Sequence, residues 1–502
     1  MHPHLFRMAT VALFAASLLS GAGVVRARAA APDAADDPRV AAFRQQLEAH
    51  RARLAIAGLS AAIVEDGDTL WTEGFGYADV ERNVPATPDT PYHIASVTKT
   101  FTAMLALRLA EQGRLDLEAP AKGWVPELAD ERIRVRHLLS HTSEGTPGEK
   151  FNYNPDRFEH LKAIIESVSG RPLRLLFVET FLDPLEMHDS VPGPDLKGDA
   201  RWPMLGAANL ARYPRVMARV ASPYTSYGEG EIVRSTPPPD DFWASAGLVS
   251  TVRDLAKYDA AIDRHALLGE EMQARAWTPL RSSTGEQLAM GLGWYVTDYR
   301  GERLVWHFGH WGTGFSAMYL KIPARKLSLI LLANSENLAD HHYKIGEDVT
   351  HDLFACSFLG AFVPDVSNGR GRFTASAPDT VPTTYSQAPS TDCELTSQAA
   401  FDKWLSLRKA GAHTIVPLDE SLAIAYAGRY QLPSRVATVS RDGNRLFLEM
   451  FDGSLAEIFA KSPTELFLKN RPWTLKMVRE RGKVVRMDIH DRGEVTAVKR
   501  LD

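Results

Sequence analysis

Ser96-Val97-Thr98-Lys99 is the segment whose residue types and spacing most directly imply chemistry. A serine hydroxyl is a poor nucleophile at neutral pH and needs a base beside it. Residues three apart are neighbours on a helix, so the amine of Lys99 reaches the oxygen of Ser96 and no histidine is required. A desolvated lysine has a lowered pKa and can accept the hydroxyl proton. The chemistry would be attack of Ser96 on a carbonyl to give an acyl-enzyme. Spacing alone is weak support, because roughly two Ser-x-x-Lys matches arise by chance in a chain this long. A second match, Ser406-Leu407-Arg408-Lys409, lies in a charged amphipathic stretch and reads as chance.

Other candidate groups lie at a distance. Tyr153 falls in Gly148–Pro155, and His307, Gly309 and His310 fall in Trp306-His307-Phe308-Gly309-His310-Trp311-Gly312. A tyrosine oxygen near an ammonium group can act as base or relay a proton to a leaving group. His137 and His141 have i, i+4 spacing, but no acidic third ligand stands at a telling distance, so neither metal nor cofactor is expected. His341 and His342 read as helix surface. The chain has no Gly-x-Ser-x-Gly match, which argues against a nucleophile elbow.

The elements that must position these residues follow from periodicity. Leu59–Val64 and Thr69–Tyr77 alternate around a Glu65–Asp68 turn and predict a hairpin. Ser96–Gly113 repeats apolar residues at the helical period and ends at Gly113. Val135–His141 and His160–Ser169 predict further helices, and Thr251 with Asp254 resembles a capping box. Leu304–His307, Phe315–Ile322 and Leu327–Ala333 predict strands, with a closing helix over roughly Ala339–Phe354. Strands, then helices, then strands imply an α/β (α+β) core whose one sheet is built from both ends of the segment, with a helical insertion. Ser367–Ser397 is rich in Ser, Thr, Pro and Gly and reads as a linker, followed by a helix over Phe401–Lys409. Seven short alternating runs between Arg435 and Lys499 then predict a small all-β barrel or sandwich.

The domain plan is therefore a signal peptide over 1–29, a catalytic domain over 38–360, linker and helix over 361–420, and a β-domain over 421–502. The 502 residues are 45% hydrophobic and 24% charged, ordinary for a globular protein. A net charge of −5 without a long basic run gives no support for nucleic-acid binding. Basic His4–Arg7, apolar Met8–Val25 and Ala27-Arg28-Ala29 have the form of a cleaved export signal. The expected location is periplasmic or secreted, without stable membrane insertion. Cys356 and Cys393 can pair in an oxidising compartment, or remain a buried thiol and a loop thiol.

These motifs, in this order, resemble the serine β-lactamase-related hydrolases: class C β-lactamases, D-Ala-D-Ala carboxypeptidases, D-aminopeptidases and a branch of esterases. The resemblance covers about Gly58 to Ser335. It rests on Ser96/Lys99, on Tyr153 and on His307-Phe308-Gly309. Val135–Ser143, Phe181–Met187 and Ala246–Thr251 match in style. It implies the β-lactamase/penicillin-binding-protein sheet, with Ser96 as nucleophile and Lys99 and Tyr153 as proton-transfer partners. It implies an oxyanion site at the backbone N–H groups of Ser96 and His310, and a Gly309 that admits substrate close to the strand. His310-Trp311-Gly312 is the competing frame for the third motif. The terminal domain resembles the lipocalin-like barrels of some D-aminopeptidases, which can shape the cleft or support homo-oligomers.

Two departures bear on substrate. Pro155 stands where the family's penicillin-recognising members carry a substrate-binding Asn, with Asn154 one residue early. His307 stands where many have Lys, and histidine is mostly neutral at pH 7. Both changes favour small esters or D-amino-acid peptides and amides over β-lactams. The alternatives are a D-Ala-D-Ala carboxypeptidase, a weak β-lactamase, or a non-catalytic binder of cell-wall peptide.

Overall fold

The computed structural model describes residues from 37 onward, apart from 198–201, 228–229, 236, 238–240, 312–313, 340–347, 433–434, 450–454, 469–472, 492–493 and most of 364–414. The export signal, His341, His342 and Ser406–Lys409 lie outside the described residues.

One antiparallel sheet organises the catalytic region. Its strands are β1 (Gly58–Glu65), β2 (Asp68–Asp79), β3 (Val84–Pro85), β4 (Tyr295–Tyr299), β5 (Glu302–Trp311), β6 (Phe315–Ile322) and β7 (Leu327–Ala333). Their order is β3-β2-β1-β7-β6-β5-β4. β1 pairs with β7 from Leu59↔Ala333 to Glu65↔Leu327, so the first and last strands of the domain are hydrogen-bonded neighbours. The helical insertion is thereby held between two halves of one sheet.

Both faces of the sheet are covered. Leu59, Ala61, Ile63, Leu304, Trp306 and Leu329 pack against Val40, Phe43 and Leu47 of α1 (Pro38–Arg53). Ala62, Val64, Val305, Ala317, Ile330 and Leu332 face the insertion. There α2 (Thr98–Glu111) is buried on nearly every side, its polar Thr98, Lys99, Thr100 and Thr102 included. The insertion also holds α3 (Val135–Leu139), α4 (Pro155–Ser169) and α5 (Val252–Asp263), the last capped by the Thr251 side chain as its sequence predicts. Beneath the sheet, Lys321 is fully buried, 3.1 Å from Asp259 and 2.7 Å from Asp263.

Of the expected closing helix over roughly Ala339–Phe354, residues 337–339 are helical and 340–347 lie outside the described residues; a separate helix, α6, runs over Leu353–Phe362 after a turn at Val349–His351. Asp352 explains where α6 begins. Its carboxylate accepts from the N–H groups of Phe354 and Ala355, which fixes the helix start there. Cys356 on α6 is joined to Cys393 by a disulfide, with Cα atoms 5.7 Å apart.

After helix Glu420–Tyr426, eight strands close into an antiparallel barrel in sequence order, sealed where Tyr430 pairs with Arg500. The first, Gly428–Gln431, is additional to the seven expected runs. Four residues offer too little alternation to read. Tyr430, Val439, Leu446, Leu448, Ile458, Leu475 and Met487 fill the interior.

Candidate active site

Ser96 lies in a 3₁₀ turn, Ala95–Val97, immediately before α2. Side chains at i and i+3 eclipse in 3₁₀ geometry. Lys99 Nζ accordingly lies 2.9 Å from Ser96 Oγ. Its second contact is to the Ser245 carbonyl oxygen, also at 2.9 Å. The Ala244–Leu248 turn is stitched to α2 as well: Thr102 donates to the Ala244 carbonyl, and Leu248 N–H donates to Thr98 Oγ1. Ala95, just before the nucleophile, has φ +47°, a conformation that costs a non-glycine residue energy and needs surrounding structure to hold it.

Lys99 is fully buried. Burial pulls its amine down to about 7 from the usual 10.5, against the opposing pull of Glu159 and Asp156. Near neutral pH a large share of Lys99 is therefore an uncharged base.

Tyr153 stands across from this pair, its ring centre 5.1 Å from Lys99 Nζ. Its loop is gripped on both sides by His141. Asn152 N–H donates to the His141 carbonyl at 2.8 Å, and Asn154 N–H donates to His141 Nδ1 at 3.0 Å. The His141 ring lies 4.4 Å from that of Tyr153. His141 is past the end of α3 at φ +53°, so the expected helix over Val135–His141 stops at Leu139. His137 Nδ1 accepts from Arg134 N–H at the helix start. Both histidines spend Nδ1 on backbone donors. His141 is thus a clamp for Tyr153, a role its spacing did not reveal.

Asn154 does not replace the missing substrate-binding asparagine. Its Oδ1 accepts from Asp156 N–H at 3.0 Å and Arg157 N–H at 3.1 Å, capping α4, with Pro155 in the first turn. Its Nδ2 donates to Glu144 at 2.9 Å.

The third motif lies on β5. Pairing with β4 stops at Tyr295↔Trp306, so among the described residues His307–Trp311 has no strand on its outer edge. His307 is fully buried and points to the side of the sheet that carries Lys99, with its ring 6.2 Å from that of Tyr153. Its Nδ1 donates to the Phe308 carbonyl at 2.7 Å. That bond places the proton on Nδ1 and leaves Nε2 as a bare acceptor. Burial, reinforced by Lys99, pulls the His307 imidazole down to about 3, so it stays neutral.

Gly309 has a packing role as well. A Cβ there would come within 2.2 Å of the Ile94 carbonyl oxygen. The space beside its Cα is taken by the protein's own backbone. This close approach seats β5 on the turn that bears Ser96 and brings the His310 backbone to its edge. Gly312, the anchor of the competing frame, lies outside the described residues.

The family model named Beta-lactamase matches residues 43–349, more than half of the chain. The chain belongs to the beta-lactamase family. Penicillin-binding protein 4* of Bacillus subtilis (strain 168) is 24% identical over 447 residues, covering 81% of this chain and 86% of that protein. The octameric penicillin-binding protein homologue from Pyrococcus abyssi superposes with a TM-score of 0.53 at 22% identity, covering 92% of this chain and all (100%) of the other. The D-alanine carboxypeptidase AmpC from Burkholderia cenocepacia gives 0.50 at 20% identity, over 65% of this chain and 99% of its own. At these identities the two solved structures establish the fold. The β-lactamase/penicillin-binding-protein sheet with a C-terminal barrel is therefore the architecture of this hydrolase-family chain.

Proposed function

We propose that the protein is an exported serine hydrolase that forms an acyl-enzyme on Ser96 with small esters or with peptides and amides of D-amino acids. The observation that carries this reading is the buried Lys99 amine, 2.9 Å from Ser96 Oγ and pulled down to about 7. Neutral Lys99 takes the Ser96 proton as the oxygen attacks the carbonyl carbon. The developing oxyanion is received by the backbone N–H groups of Ser96 and His310. Tyr153, beside the resulting ammonium, passes a proton to the leaving group. Water then attacks the acyl-enzyme by the reverse relay, and Ser96 is regenerated.

The substrate class follows from the polar groups left over. Neutral His307 offers no fixed positive charge to a substrate carboxylate, and the capped Asn154 offers no amide for a peptide or β-lactam. This ranks D-Ala-D-Ala carboxypeptidase and β-lactamase turnover below ester and D-aminoacyl turnover. An exported location is supported by the leader-like first residues and by the Cys356–Cys393 disulfide.

The test compares the mature protein and its Ser96→Ala variant on a short-chain p-nitrophenyl ester and a D-alanine p-nitroanilide. The expected result is turnover of at least one substrate, with a loss of about 10³-fold or more in the variant. Equal rates would place the nucleophile elsewhere. No turnover of either substrate would favour a non-catalytic peptide-binding protein.

A further inference from the structure

Glu159 is a half-buried carboxylate on α4 that the acyl-transfer steps above do not use. Its Oε2 accepts two hydrogen bonds from Ser245, from the backbone N–H at 3.1 Å and from Oγ at 3.2 Å. The Ala244 N–H faces the same carboxylate and favours its charge. The carbonyl of the same Ser245 receives the Lys99 amine at 2.9 Å. One carboxylate thus grips, from the far side, the turn on which the site's base rests.

We propose that Glu159 is a positioning residue for Lys99: it fixes the Ala244–Ser245 turn and supplies the principal negative charge that Lys99 faces. This deepens, and rests on, the reading of Lys99 as the base. Other groups facing Lys99 leave that charge role to Glu159. His307 is neutral, and His141, clamped to Asn154, is held neutral by its burial. The Tyr153 and Phe158 rings cover the amine at 5.1 and 5.5 Å. Asp156, the other carboxylate acting on Lys99, is exposed and ranks after Glu159. Glu159 is itself pushed up, chiefly by burial, with the Ala244 and Ser245 backbone N–H groups and then Lys162 pulling the other way. Burial therefore opposes both charges, while the attraction of Glu159 favours the ammonium form of Lys99. The carboxylate keeps the Lys99 titration from falling still lower, where the amine would be a weaker base.

The sign is explicit. Glu159→Gln keeps the side-chain shape and removes the charge, so the ammonium form loses its partner and Lys99 titrates at lower pH. The midpoint is read by ¹³C NMR on protein labelled at lysine Cε, with the Lys99 signal assigned by its absence from Lys99→Met. The expected result is a fall of at least about half a pH unit in Glu159→Gln, with Glu159→Asp restoring most of it. The acid limb of ester turnover should move by the same amount. A midpoint unchanged in Glu159→Gln, with turnover lowered equally at every pH, would mean that Glu159 is only a structural brace, and the charge role would fall. If Glu159→Gln does not fold, Glu159→Ala carries the same expectation. NMR reads the amine whether or not the substrate is turned over, so failure of the hydrolase reading leaves this test decisive.

Discussion

Lys99 decides what Ser96 can do, and two effects compete over it. Burial disfavours the ammonium form, while Glu159 and Asp156 favour it; burial wins, and the amine titrates near 7. If neutral Lys99 is the base, kcat/KM for an ester rises with pH and is half-maximal near 7. It falls about tenfold per unit on the acid side. His307 does not produce that limb, since it is already neutral well below pH 5. A pH–rate series from 5 to 9 checks this, and a flat profile would remove Lys99 from the role. The Ser96–Lys99 pair was readable because it is local, three residues within one helical turn. Ser245 and Glu159 were not, because Lys99 meets Ser245 across 146 residues of chain, and Ser245 meets Glu159 across 86. No periodicity encodes such contacts. His141 illustrates a subtler limit. Its spacing from His137 was visible, but its left-handed backbone and its grip on Asn152 and Asn154 depend on the fold.

At the scale of elements, the site depends on one strand resting on one turn. Gly309 lets β5 approach the Ile94 carbonyl so closely that a methyl group would meet it at 2.2 Å. Backbone cannot swing aside as a side-chain end can. Gly309→Ala should therefore destabilise the domain by about 1–3 kcal/mol. It should also lower kcat/KM by about ten- to a hundredfold, because the His310 N–H is displaced from the oxyanion position. Thermal melting together with ester kinetics checks both effects. A variant as stable and active as the parent would show that the strand does not lean on the nucleophile turn. Strands with alternating or β-branched runs, such as Phe315–Ile322 and Leu327–Ala333, were legible to the residue. The start of α6 was not read from the sequence, because the cap that Asp352 supplies to Phe354 and Ala355 sets it. The first barrel strand escaped notice because pairing at both edges, not its own four residues, makes it a strand.

For the whole molecule, closure matters more than any single contact. The pairing of β1 with β7 joins the two ends of the catalytic region, and α1 with α6 covers the face of the sheet away from Ser96. The Cys356–Cys393 disulfide works on that covered face, fastening α6 to a residue 37 positions further along. Closing a loop of that length removes freedom from the unfolded chain worth about 3–4 kcal/mol on the chain-entropy account. Cys356→Ser should therefore lower the melting temperature measurably. It should leave kcat/KM within about twofold of the parent, since Cys356 packs with α1 and not with α2. Treating the parent with a thiol reductant should reproduce the shift, and treating Cys356→Ser should add nothing. An unchanged melting temperature would mean that the loop is not closed in solution. A fall in activity without a fall in melting temperature would mean that the far face of the sheet communicates with Ser96, in conflict with a site held by α2, β5, the Tyr153 loop and the Ala244–Leu248 turn.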